Sequence, residues 1–139
     1  MALLGRIKMT KKIIQTRTAK LWLREEGIIQ CEVKPNIRNE LIDVIEMIDA
    51  GRVLGGGTKA PVLMDIRKAG GVSRDGRVYF SGHEACQIVS ATAILIESKI
   101  SQMIATFFLG FNRVPYPIQI FTRENEAVEW LKKSKPVVV

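Results

Sequence analysis

Pro61-Val-Leu-Met-Asp-Ile-Arg67 and, after a polar loop, Ala91-Thr-Ala-Ile-Leu-Ile96 are the stretches on which the fold turns. Both are close to continuous in apolar residues, the pattern of strands covered on both faces in a parallel sheet. Pro61 suits the first position of a strand, where its missing N–H does least harm. Between them lies the basic loop Lys68-Ala-Gly-Gly-Val-Ser-Arg-Asp-Gly-Arg77, followed by helical segments. A connection of that length is what two parallel strands require.

Within the crossover, Ser73 is placed to cap a short helix through Tyr79 and Phe80. Ser81-Gly-His-Glu84 reads as a capping box for a second helical piece ending near Val89, with Ala85, Ile88 and Val89 facing inward. Towards the N-terminus, residues 18–33 read as a β-hairpin turning at Glu25-Glu-Gly27, and Lys34-Pro-Asn36 stops it. Asn39 to Ala50 has a broad apolar face of Leu41, Ile42, Val44, Ile45, Met47 and Ile48. Glu40, Asp43, Glu46 and Asp49 recur on its other face and are expected to be solvated, and Gly51 is the expected stop. Gly55-Gly-Gly57-Thr58-Lys59 follows a helix and leads into a strand, the reverse of a phosphate loop, so it reads as a connector.

Towards the C-terminus, Ser98 opens a helix over Lys99–Leu109 in which Ile100, Met103, Ile104, Phe107 and Phe108 form one stripe. Its other face offers Ser101, Gln102, Ala105, Thr106 and Leu109, and Lys99 is its only charge. A face so poor in charge implies cover by a second subunit, a partner or a ligand. Ser101, Gln102, Ala105, Thr106, Phe108 and Leu109 are therefore candidate interface residues. Ile118–Phe121 is the last strand, and Thr122 is the expected cap of the last helix. That helix has Glu124 and Glu126 at its start, Lys132 and Lys133 at its end, and buried Ala127, Trp130 and Leu131.

At 139 residues and 47% hydrophobic, the chain has the size and apolar content of one domain with a core that needs no staple. Its two cysteines, Cys31 and Cys86, make neither a disulfide framework nor a zinc site, and read as reduced thiols. No apolar run has the length of a signal peptide or a membrane span, which points to the cytoplasm. The net charge of +7 is partly local, with Arg6, Lys8, Lys11, Lys12, Arg17 and Lys20 all preceding the first acid, Glu25. Without an aromatic platform or a nucleic-acid module, these residues read as a solvated arm and not a nucleic-acid contact. The expected organisation is a basic arm over 1–17, one domain over 18–134 and a tail over 135–139. The expected fold is α/β, with a mixed five-stranded sheet, antiparallel in its N-terminal hairpin and mostly parallel beyond, flanked by four to five helices.

The element order, together with Pro61–Arg67, Phe107-Phe-Leu-Gly-Phe-Asn-Arg113 and Pro117-Ile-Gln-Ile-Phe-Thr-Arg-Glu-Asn-Glu-Ala-Val-Glu-Trp-Leu131, resembles the SpoIIAA-like, or STAS-like, bacterial domains. The likeness spans residues 18–133 and is nearest to small uncharacterised members. It implies a mixed sheet with the helix after the Asp65 strand as the working surface. Regulatory members place a phosphorylatable Ser or Thr close behind an Asp at this strand end. Here Ile66-Arg67-Lys68 follows Asp65, and Ser73, further along the loop, is the residue left for such a modification.

Asp65, Arg67, Lys68, Ser73, Arg74, Arg77, Ser81 and His83 cluster in sequence near a strand's carboxyl end and near helix N-termini. That is where open α/β sheets meet ligands and anions. The ligand-binding candidates are Asp65, Arg67, Lys68, Ser73, Arg74, Arg77 and His83, for a small anionic or lipid-like ligand. The competing reading is a solvated loop with serine caps. An enzyme would use His83 as base, Glu84 or Asp65 to orient it, and Ser81 or Cys86 as nucleophile. One histidine and two separated cysteines are too few for a metal centre, and no cofactor is expected. The expected function is a non-enzymatic interaction domain, a homodimer or a partner-docking module.

Overall fold

The computed structural model describes residues 12–97, 114 and 116–134. A six-stranded sheet runs in sequence order: β1 (Ile13–Gln15), β2 (Ala19–Leu23), β3 (Ile29–Val33), β4 (Ala60–Asp65), β5 (Val89–Leu95) and β6 (Ile118–Phe121). β1, β2 and β3 pair antiparallel, and β3 through β6 pair parallel. Among the described residues there are four helices: α1 (Leu41–Leu54), α2 (Arg74–Phe80), α3 (His83–Cys86) and α4 (Glu124–Lys133).

The sheet has six strands and not five, because β1 forms inside the expected basic arm. Thr16 makes this possible. Its hydroxyl accepts the N–H groups of Thr18 and Ala19, which turns the chain and sets Ile14 opposite Leu21.

The sheet divides the core in two. On one face Val44, Met47 and Ile48 of α1, with Ala85 and Ile88, pack on Leu21, Cys31, Val62 and Met64. On the other, Ala127, Val128 and Leu131 of α4 pack on Leu63, Ala91, Ala93 and Leu95. This double cover is why β4 is buried at every position.

Several local readings change. α1 passes through Gly51 and stops at Gly55, because Gly51 is a packing residue: a Cβ there would lie 3.3 Å from Ile88 Cδ1. Asp43 is buried and not solvated, and it belongs to a capping box with Glu40. The Ser81–Glu84 capping box does not form. Gly82 is the N-cap of α3, and the Ser81 hydroxyl turns back to donate to the Arg77 and Val78 carbonyls, closing α2. Arg123, and not Thr122, is the N-cap of α4. β5 starts at Val89, two residues earlier than its apolar run, and α3 is a single turn. No helix among the described residues is long and apolar enough to cross a membrane.

Candidate functional site

The carboxyl ends of β3 to β6 surround a cleft of about 460 Å³, lined in part by Glu32, Asp65, Arg67, Lys68, Glu97 and Thr122. Asp65 ends β4 between Glu32 of β3 and Leu95 of β5, and only 7% of its side chain is exposed. A carboxylate so deeply placed needs a partner. Arg67 supplies it, with Nε 3.0 Å from Oδ1 and Nη2 2.7 Å from Oδ2, while its backbone N–H donates to Oδ1 at 3.1 Å. The side-chain hydrogen bonding to Asp65 holds the Arg67 guanidinium above its ordinary pKa.

The pair continues into a chain of alternating charge. Arg67 lies 4.0 Å from Glu124 at the start of α4, and Glu124 lies 3.6 Å from Arg24. Arg24 also grips Glu26 through two 3.1 Å hydrogen bonds and donates to Gln30 Oε1 at 2.6 Å. Glu26 is thereby held below the usual carboxylate range, with the Arg24 hydrogen bond as the leading cause. The network ties the first turn of α4 to the sheet.

The βα loops after β3 and β4 are joined along their backbones. Asn36 N–H donates to Lys68 O, Asn39 N–H to Gly71 O, and Ser73 N–H to Asn39 O. The approach is so close that a Cβ on Gly70 would sit 2.8 Å from Ile37 N. The basic loop is therefore strapped to the loop after β3, and its first residue, Lys68, lines the cleft.

Of the seven ligand candidates, Asp65, Arg67 and Lys68 line the cleft. Ser73 caps α2, accepting the Gly76 N–H at 3.1 Å. Arg74 is exposed, and Arg77 reaches the Val72 carbonyl. His83 is exposed at the start of α3, its Nε2 2.9 Å from Gln87 Nε2. Glu84 pairs with Arg52 at 2.8 Å and Asp65 with Arg67, so both expected orienting carboxylates are engaged elsewhere. The Cys86 thiol lies 4.0 Å from the Ser81 carbonyl. Among the described residues, no hydrogen bond joins His83 to Ser81, Cys86, Glu84 or Asp65. Cys31 is buried with its thiol pushed up to about 12, chiefly by burial. The six interface candidates, Ser101, Gln102, Ala105, Thr106, Phe108 and Leu109, lie outside the described residues.

A family model described as a domain of unknown function, DUF7793, matches residues 21–135. The chain belongs to this family. The DUF7793 chain is similar in structure to an uncharacterised DUF3478-family protein with a SpoIIAA-like fold from Shewanella loihica PV-4. Identity is 16%, the match covers 88% of this chain and 92% of that one, and the TM-score is 0.54. This establishes the SpoIIAA-like fold. A protein of unknown function from Arthrobacter sp. FB24 is 31% identical over 85% of this chain and 95% of its own. Its TM-score of 0.34 is too low to support a structural argument. No curated protein matches the chain.

Three features escaped the sequence reading. The outer side of α1 carries exposed Ile42 and Val53, and α2 carries exposed Val78. Six apolar residues between Leu41 and Ile48 make an arc wider than one core contact covers, and that was the legible sign. The second feature is the Asp43 pair with Arg17, 26 residues away, and nothing local announces it. The third, a group of buried hydroxyls near Tyr116, depends wholly on sheet register.

Proposed function

We propose that this DUF7793 protein is a non-enzymatic interaction domain of the cytoplasm that pairs with a second copy of itself. The observation that carries this reading is the exposure of Ile42 (59%), Val53 (57%) and Val78 (55%) on helices of one face. Single exposed apolar residues are ordinary, but three on packed neighbouring helices favour a docking face. In the sequence, Ser98–Leu109, with Lys99 its one charge, is a second stretch poor in charge and suited to a covered surface. The engagement of Ser73, Ser81, Glu84 and Asp65 in caps and ion pairs supports contact over catalysis.

Light scattering tests it. The wild type is expected to be a dimer, and Val53→Asp and Leu109→Asp are each expected to shift it towards monomer while folding normally. A wild type that stays monomeric at high concentration sinks the reading.

A second reading, a small anionic or lipid-like ligand, draws on the carboxyl-end cleft, where Lys68 is a cation outside the Asp65–Arg67 pair. The lining's Glu32, Asp65 and Glu97 weigh against an anion there. Native mass spectrometry of freshly purified protein discriminates, since a retained small molecule favours this second reading.

A further inference from the structure

The opposite end of the strands, their amino ends, holds a polar group that neither the core nor the cleft uses. β4 and β5 pair Ala60 with Val89 and then Pro61 with Ala91, so Ser90 is left over as a bulge. Pro61 has no N–H to offer the ladder, which suits an irregularity there. Bulges re-aim side chains and recur beside binding sites. Ala91 belongs to the core under α4, so alternation turns Thr92 to the other face, where Tyr116 packs.

Three side-chain oxygens here, Ser90 Oγ, Thr92 Oγ1 and Tyr116 Oη, are buried and have no hydrogen-bond partner among the described residues. Thr92 is fully buried and Tyr116 is 8% exposed. The Thr92 hydroxyl is near enough to favour ionised Tyr116, but the two do not meet hydrogen-bond geometry. Burial dominates and pushes the tyrosine up to about 12, so it remains a donor at neutral pH. Buried hydroxyls in native proteins are almost always satisfied, so Ser90 and Tyr116, which line an open volume, call for an occupant.

The volume exists. A cavity of about 250 Å³ at the amino ends of the strands is lined by Lys59, Cys86, Val89, Ser90, Tyr116 and Pro117. Among the described residues, its one charged lining residue is Lys59, and no carboxylate lines it. Its other polar groups are hydroxyls and a thiol, which can donate to oxygen atoms. A compact monoanion with several oxygens matches that inventory, its charge on the ammonium at the mouth and its oxygens on Tyr116 and Ser90.

We propose that the Lys59–Cys86–Ser90–Tyr116 cavity is a binding site for a small carboxylate, separate from the carboxyl-end cleft.

Cys86 supplies the readout, because it is a half-buried free thiol on the cavity wall while Cys31 is fully enclosed. Its alkylation by iodoacetamide is followed by mass spectrometry with acetate, glycolate or pyruvate present. At ten times its dissociation constant, a bound carboxylate slows labelling about tenfold. At least one of the three is expected to do so saturably in the wild type. Tyr116→Phe removes only the unpartnered hydroxyl and should melt no lower than the wild type. Lys59→Ala alters an exposed side chain. Loss of protection in either folded variant supports the site. Unchanged labelling with all three carboxylates, or protection that persists in both variants, overturns it.

Discussion

Arg17, in the turn between β1 and β2, closes a two-point ion pair on Asp43 in the first turn of α1. Nε lies 2.9 Å from Oδ1 and Nη2 2.6 Å from Oδ2. The Asp43 side chain is only 2% exposed and also accepts the Glu40 N–H at 2.8 Å. One carboxylate thus caps a helix and anchors the edge hairpin to it.

The pH dependence follows from that geometry. The Arg17 hydrogen bond, ahead of the Glu40 N–H, holds the Asp43 carboxyl below its ordinary value of 3.8. A carboxyl depressed in the folded state contributes stability that is full above its unfolded pKa and lost as pH falls through its folded pKa. Arg17→Ala is therefore expected to lower the urea midpoint at neutral pH, with the gap from wild type closing on acidification. A gap that stays constant as the carboxyl titrates would disprove the coupling.

Gly70 is expected to tolerate no side chain. A Cβ there would meet Ile37 N at 2.8 Å and Asn36 C at 2.9 Å, and both are backbone atoms that cannot swing aside. Gly70→Ala should cost about 1–3 kcal/mol, as overpacking does. Urea denaturation with an unchanged midpoint would show that the strap between the two loops is loose.

Ser73 is expected to act as a cap. Its Oγ accepts the Gly76 N–H, and Gly76 packs against Val44 of α1. Ser73→Ala should therefore cost about 1 kcal/mol, measured by thermal or chemical melting, and leave the association state seen by light scattering unchanged. A change in association without a change in stability would instead make Ser73 a contact residue.

Leu131 carries the docking of α4. It is fully buried against Leu63, Ala91, Ala93 and Leu95. Leu131→Ala should destabilise by about 2–5 kcal/mol. The Arg24–Glu124–Arg67 network remains in that variant, so a loss far smaller than this would mean the ion pairs and not the packing hold the helix.

β4 and β5 were legible as nearly continuous apolar runs, which the interior of a parallel sheet demands, and β2 and β3 as a hairpin of mixed apolar and polar residues around Glu25-Glu-Gly27. Among the described helices, α1 was legible from periodicity, α4 from its stripe and end charges, and α2 and α3 from capping residues, with their ends less so. Gly51 and Ser81 show why. A glycine can end a helix or let another side chain approach, and a serine can cap the helix before it or after it. Each choice depends on a neighbour the local sequence does not name, Ile88 for Gly51 and the Arg77 carbonyl for Ser81.

The candidate site divides the same way. That a carboxylate, two cations and a basic loop meet at the end of β4 follows from chain order alone, since Asp65, Arg67 and Lys68 are adjacent to the strand. That Arg67 is occupied by Asp65 and Arg24 joined through Glu124, and that Ser90 and Tyr116 share a cavity, was decided only by the tertiary structure. Hydrophobic pattern is a one-dimensional property, which a chain carries before it folds. Pairing between distant polar groups depends on strand register and helix placement, which exist only once the sheet has formed.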